Sequence, residues 1–235
     1  MSYIKNLANS LLHLFYPEVC EGCGNDLSKS GLRLCIYCMT HLPKTSFERF
    51  ENNPIEKIFF GRIPLLAAAS FCYFTRRSVV QRLLHQLKYR NDKELGLLMG
   101  EWMGRCIEAS GRFNNIQLLV PVPLHPSRLK SRGYNQSALL CQGISSVLGV
   151  PVAESALKRK EATDSQTSRS RVARWENMKN RFELTNVDEL RNKEIMLVDD
   201  VITTGATLEA CSRAISEKLG SCISLFSFAY AATKF

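Results

Sequence analysis

Two groups of side chains in this 235-residue chain have the types and spacing to do chemistry. The first is Asp199-Asp200 followed by Thr203, Thr204, Gly205, Ala206 and Thr207. Adjacent carboxylates can accept hydrogen bonds from a sugar diol or face a magnesium ion. Threonine hydroxyls and a glycine at the start of a helix offer donors, close backbone approach and the positive end of the helix dipole, which suits a phosphate. Together they describe a ribose 5-phosphate site. The second group is Cys20, Cys23, Cys35 and Cys38, two C-x-x-C pairs eleven residues apart. Each pair presents two thiolates from one tight turn, with Gly24 supplying permissive backbone after the first. Two such turns complete a closed tetrahedral site for structural zinc. Disulfides compete as a reading, but no export signal is expected; a redox pair would need a strand–helix context that is missing. Iron–sulfur ligation is the alternative metal chemistry.

These residues need elements to hold them. Residues 195–198 read as a buried strand ending at the acidic pair, and the threonine loop opens a helix with Leu208, Cys211, Ile215 and Leu219 on one face. A second anion site is expected in the run from Pro121 to Gln136. There a strand, 117–122, ends in Pro-Val-Pro, and Arg128, Lys130 and Arg132 lie on a loop feeding a helix over 135–148. Such a loop lies at the carboxyl end of a strand, where open α/β sheets bind ligands. Asn135 and Gln136 open that helix, and His125 between two prolines reads as structural. Lys88 closes an earlier helix carrying Val80, Leu83, Leu84 and Leu87, and a further helix spans about 94–109. A third polar, basic segment, 157–171, holds Arg159, Thr163 and Gln166. It reads either as a lid bringing cations over a reactive pyrophosphate or as plain flexible surface. Strands at 65–74, 181–184 and 222–230 complete an α/β fold with a mostly parallel sheet and flanking helices.

Composition sets the frame. With 45% hydrophobic and 23% charged residues the chain can bury a full core. The expected division is 1–60, an N-terminal helix, the four-cysteine zinc module and a connector from 42 to 64, then 61–235 as the larger domain. No apolar run is long enough to span a bilayer, and a cytoplasmic location is expected. Net charge is +9, and residues 61–135 carry twelve Lys and Arg against four Asp and Glu. Such a field gathers a polyanionic small substrate or a nucleic acid strand. Cys72, Cys106, Cys141, Cys211 and Cys222 read as small core residues. Tyr37, Tyr73, Phe74, Tyr89 and Tyr134 lie near basic residues, where stacking on bases competes with ordinary core packing.

The run 195–207 resembles the phosphoribosyl pyrophosphate (PRPP) motif of type I phosphoribosyltransferases. Nearly the whole chain resembles the competence protein F (ComF) family, through the four cysteines, Lys88-Tyr89-Arg90, Pro121-Val-Pro-Leu-His125, Arg128 to Gln136 and Thr163 to Gln166. The resemblance implies a zinc-finger module joined to a type I phosphoribosyltransferase domain. It implies that Asp199 and Asp200 hold the ribose hydroxyls, that 203–207 cradle the 5-phosphate, and that Mg²⁺ accompanies PRPP. Lys88, Arg128, Arg132, Asn135 and Gln136 would form the pyrophosphate-side anion loop. It further implies a role with single-stranded DNA in natural transformation, beside a DNA-translocating helicase and other competence proteins. The alternative is an active phosphoribosyltransferase of nucleotide or nucleobase metabolism with no nucleic-acid role.

Overall fold

The computed structural model describes residues 19–27, 32–160 and 181–232. The expected N-terminal helix, and Thr163 and Gln166 of the third segment, lie outside the described residues.

Four strands, β1 (Leu65–Tyr73), β2 (Leu118–Pro121), β5 (Ile195–Ile202) and β6 (Ile223–Tyr230), form an all-parallel sheet in the order β1-β6-β5-β2. The two central strands are covered on both faces, which is why β5 begins as an unbroken apolar run instead of an alternating one. Parallel pairing aligns the strand ends: Pro121 stands opposite Val198, and Asp199 opposite Ser227. The acidic pair is therefore carried at the carboxyl edge of the sheet.

Helices α3 (Val79–Tyr89), α4 (Lys93–Ser110), α6 (Gln136–Leu148) and α8 (Ala206–Leu219) flank the sheet; shorter ones are α1 (Ile36–Thr40), α2 (Pro54–Phe59), α5 (Pro126–Arg132) and α7 (Val187–Leu190). Caps set their starts. Ser78, Asp92 and Asn135 accept the backbone N–H of Gln81, Leu95 and Ser137, closing off α3, α4 and α6. Gly96, Gly100 and Gly104 line the buried face of α4 and meet Leu139, Gly143 and Val147 of α6 in turn. A Cβ on Gly143 would lie 2.7 Å from the Gly100 Cα, so these two helices touch backbone to backbone.

Three expectations need correction. Residues 181–184 do not join the main sheet. Instead β4 (Phe182–Leu184) pairs antiparallel with β3 (Leu157–Arg159) in a separate two-stranded ribbon. Three residues with no periodicity gave no means of choosing a partner. The stretch 42–64 is not a bare connector: it forms a 3₁₀ turn at Phe47–Arg49 and helix α2, and it buries Phe47, Ile55 and Phe59. Lys44 bridges to Cys72 and Thr45 N–H donates to the Phe71 carbonyl, so this stretch covers the open edge of β1. Finally, Cys222 is exposed and Cys106 only partly buried, while Cys72, Cys141 and Cys211 are core as expected. No helix among the described residues is long and apolar enough to cross a membrane.

Candidate functional site

β5 delivers Asp199 and Asp200 to the sheet edge, and two helices close around them. Lys88, in the last turn of α3, places Nζ 2.7 Å from Asp200 Oδ2. That lysine is held in place from behind, since the Tyr134 hydroxyl donates to the Leu87 carbonyl. At the start of α6, Ser137 Oγ donates to Asp199 Oδ1 at 3.2 Å, and the Asp200 N–H donates to the same oxygen at 2.9 Å. Burial, and next the charge of Asp200, push the Asp199 carboxyl from its usual 3.8 up to about 7. The pair thus shares charge unequally: Asp200 has a cation, and Asp199 sits where a proton or a hydrogen-bond donor is welcome.

Beyond β5, Thr203, Thr204, Ala206 and Thr207 are exposed and Gly205 is buried. Gly205 adopts φ +76° and opens α8 with no side-chain cap, leaving first-turn N–H groups for a ligand. A second constraint fixes the glycine: a Cβ there would meet the Phe59 ring at 2.8 Å. The β3–β4 ribbon stands over this helix start. Arg159, Arg181, Phe182, Ala206 and Thr207 wall a cavity of about 50 Å³. Burial, then the neighbouring Arg181 and Arg128, hold the Arg159 guanidinium below its usual pKa. Among the described residues no carboxylate pairs with any of these three arginines. Such a cluster is a candidate anion site.

The second segment is built differently from its sequence reading. Arg128, Lys130 and Arg132 lie on the short helix α5, not on a loop, because Pro126 starts a turn that His125 caps and Gly133 (φ +77°) ends. Arg132 Nη1 donates to Gln136 Oε1 at 3.0 Å and its guanidinium lies 5.4 Å from the Tyr89 ring. Asn135 is a strut: its side chain caps α6 and donates to the Val122 carbonyl at 3.0 Å, tying α6 to the end of β2. Gln136 is buried. Asn135 and Gln136 therefore shape the wall behind Asp199. Ser137 and Arg181 were absent from the expected site; no periodicity marks a serine inside a helix start, and Arg181 precedes a strand whose partner was misassigned.

Cys20, Cys23, Cys35 and Cys38 place their sulfurs within 4.8 Å of one another, a cluster able to hold a metal ion such as zinc. Backbone N–H groups aim at sulfur, with Cys35 N donating to Cys20 Sγ at 3.2 Å and Cys38 N to Cys35 Sγ at 3.4 Å. Burial opposes the Cys20 thiolate, but the N–H groups of Cys35, Cys23 and Gly22 outweigh it and bring Cys20 down to about 6. Gly24 takes φ +78° in the first turn. A Cys20 thiolate so supported suits a divalent metal ion.

Comparison with known proteins agrees with this architecture. Residues 135–234 match the family model described as phosphoribosyl transferase domain. Competence protein F of Haemophilus influenzae is 34% identical over 142 residues, 59% of this chain and 62% of the relative. DNA utilization protein YhgH of Escherichia coli K12 is 35% identical over 129 residues, 54% of this chain and 56% of the relative. In both, the match spans less than two thirds of the relative's length. Competence protein ComFC of Bacillus subtilis is 25% identical over 224 residues, 92% of this chain and 86% of the relative. With a phosphoribosyl transferase domain on a parallel sheet and a four-cysteine cluster before it, the chain is similar to the relatives named competence protein F, ComFC and YhgH.

Proposed function

We propose that this protein binds PRPP with Mg²⁺ at the carboxyl edge of its sheet and uses that site in handling single-stranded DNA. The observation that carries the reading is the juxtaposition of an uncapped helix start, 205–207, with the Asp199–Asp200 pair and Lys88. The 5-phosphate lies on the α8 N–H groups and threonine hydroxyls, and the two carboxylates accept the ribose hydroxyls. Oxygen donors of this kind also suit Mg²⁺, which would neutralise pyrophosphate charge. Lys88 exchanges its Asp200 partner for pyrophosphate, and Arg128 and Arg159 face the same anion. The four cysteines hold a structural zinc ion.

Calorimetry in Mg²⁺ tests the site. Replacing Asp199 and Asp200 together by Asn keeps shape and removes charged acceptors. Hydrogen bonds to charged groups are worth roughly 1.5–3 kcal/mol, so PRPP affinity falls more than tenfold. Unchanged affinity means that the motif does not bind the sugar.

The DNA role draws on the unpaired arginines and on the relatives' names, competence protein and DNA utilization protein. Single-stranded DNA binding weakens with salt. Loss of Arg128 and Arg159 lowers the slope of log affinity against log salt by about 1.4, at roughly 0.7 per contact. PRPP competes for these cations. Pyrophosphate release from PRPP with added nucleobases, and no DNA binding at low salt, establishes instead a metabolic phosphoribosyltransferase.

A further inference from the structure

A second cavity, of about 300 Å³, lies away from the strand ends, between the zinc module's trailing segment and helix α4. That volume is in the range of small-ligand pockets. Trp102, Phe71, Met39 and Leu42 give it apolar and aromatic walls. Glu48 also lines it, is 4% exposed, and leaves its buried Oε2 without a hydrogen-bond partner. A buried carboxylate oxygen without a donor costs free energy that a ligand N–H would recover. The other Glu48 oxygen lies 3.6 Å from Arg49 Nε. Cys106 lines the same space; burial first, then the Glu48 charge and a hydrogen bond to that carboxylate, raise its thiol to about 12, so it stays protonated and is only a weak S–H donor to Glu48.

Lys44, Arg49 and Arg105, with Ser46 and Ala109, complete the lining. Arg49 and Arg105 are 73% and 71% exposed, so the mouth is cationic while the floor holds one acceptor. A lysine or arginine from a peptide would satisfy Glu48 but would enter against three like charges. The charges favour a ligand with a neutral N–H donor at one end and an anion at the other, on a flat ring that can pack on Trp102. A nucleotide whose base carries an exocyclic amine has that form.

We infer that this cavity is a second ligand site, taking the amino-bearing base of a nucleotide against Glu48 and Trp102 with its phosphate at Lys44, Arg49 and Arg105. Cytosine, adenine and guanine each bring an amine to the carboxylate. Thymine brings one ring N–H flanked by two carbonyl oxygens, whose lone pairs oppose Glu48. The inference does not rest on the PRPP reading, since it uses none of the same residues.

The test follows Trp102 fluorescence in the full chain with Trp175→Phe, which leaves Trp102 as the reporter. Titration with dCMP, dAMP and dGMP is expected to give saturable changes, with dTMP at least about tenfold weaker, the effect of one charged hydrogen bond. Glu48→Gln should bring dCMP to the level of dTMP, and Arg105→Ala should weaken every nucleotide and lessen its salt dependence. No saturable signal at millimolar nucleotide, or equal binding of dCMP and dTMP, overturns the inference. Should circular dichroism show Glu48→Gln misfolded, the exposed Arg105 decides: affinity unchanged in Arg105→Ala overturns it. PRPP titration of the same variants keeps the two sites distinguishable, because neither substitution touches the strand-end residues.

Discussion

Asp199 carries the most telling chemistry at the scale of single residues. Its carboxyl is raised to about 7 by burial and by Asp200, with Ser137 and Lys88 opposing. In the folded state it keeps a proton that the unfolded chain releases near pH 4, so its contribution to stability falls as pH rises from about 4 to about 7. Urea unfolding between pH 5 and pH 8 should therefore show the wild type losing stability relative to Asp199→Asn. A parallel pH course in the two proteins contradicts the burial argument. Gly205 makes a second point at this scale. Its φ of +76° and the Phe59 ring against it both exclude a side chain, so the fold alone fixes the glycine. The acid pair and the threonine loop were legible because each type has few uses at that spacing. Ser137 and Tyr134 were not, because their roles exist only once α6 and α3 are docked.

Among the elements, the pairing of α4 with α6 positions the site. α6 supplies Ser137 to Asp199, and its distance from α4 depends on Gly100 and Gly143 lying in backbone contact. Gly143→Ala would force the helices apart. Overpacking costs about 1–3 kcal/mol, so the urea midpoint should fall by that amount with unchanged slope. Full stability in this variant means that the helices have room. The glycine spacing is present in the sequence, yet a reading by apolar periodicity passes over it. Long elements were legible throughout: β1, α3, α4, α6, β5, α8 and β6 all lie within a few residues of expectation. The ribbon β3–β4 was not, since three-residue strands carry no period and their pairing is a tertiary choice. Helix α5 escaped for a related reason. Its residues are wholly outside the core, and only Pro126 and Gly133 mark its ends.

At the scale of the whole molecule, the cysteine module is joined to the body through Arg33. Its guanidinium bonds both Asp92 oxygens at 2.8 and 2.9 Å, and also Glu21 and Glu94. Asp92 is the cap of α4, so one arginine links the four-cysteine turns to the helix pair behind the site. Arg33→Ala should lower stability by about 1.5–3 kcal/mol, measured by thermal or urea unfolding. Elemental analysis should find one zinc per chain, and chelation should lower the unfolding temperature; a zinc-free protein of equal stability would refute a structural metal. The central claim is that one ligand spans the sheet edge, with a phosphate on α8 and a pyrophosphate toward Lys88 and the arginines. Phosphorus NMR of PRPP with Mg²⁺, titrated with protein, reads each phosphorus separately. All three resonances should shift or broaden together in the wild type, and the 5-phosphate resonance should lose its response when Thr204 and Thr207 are replaced by Val. A response confined to the pyrophosphate, with the 5-phosphate unmoved in wild type, would contradict the account.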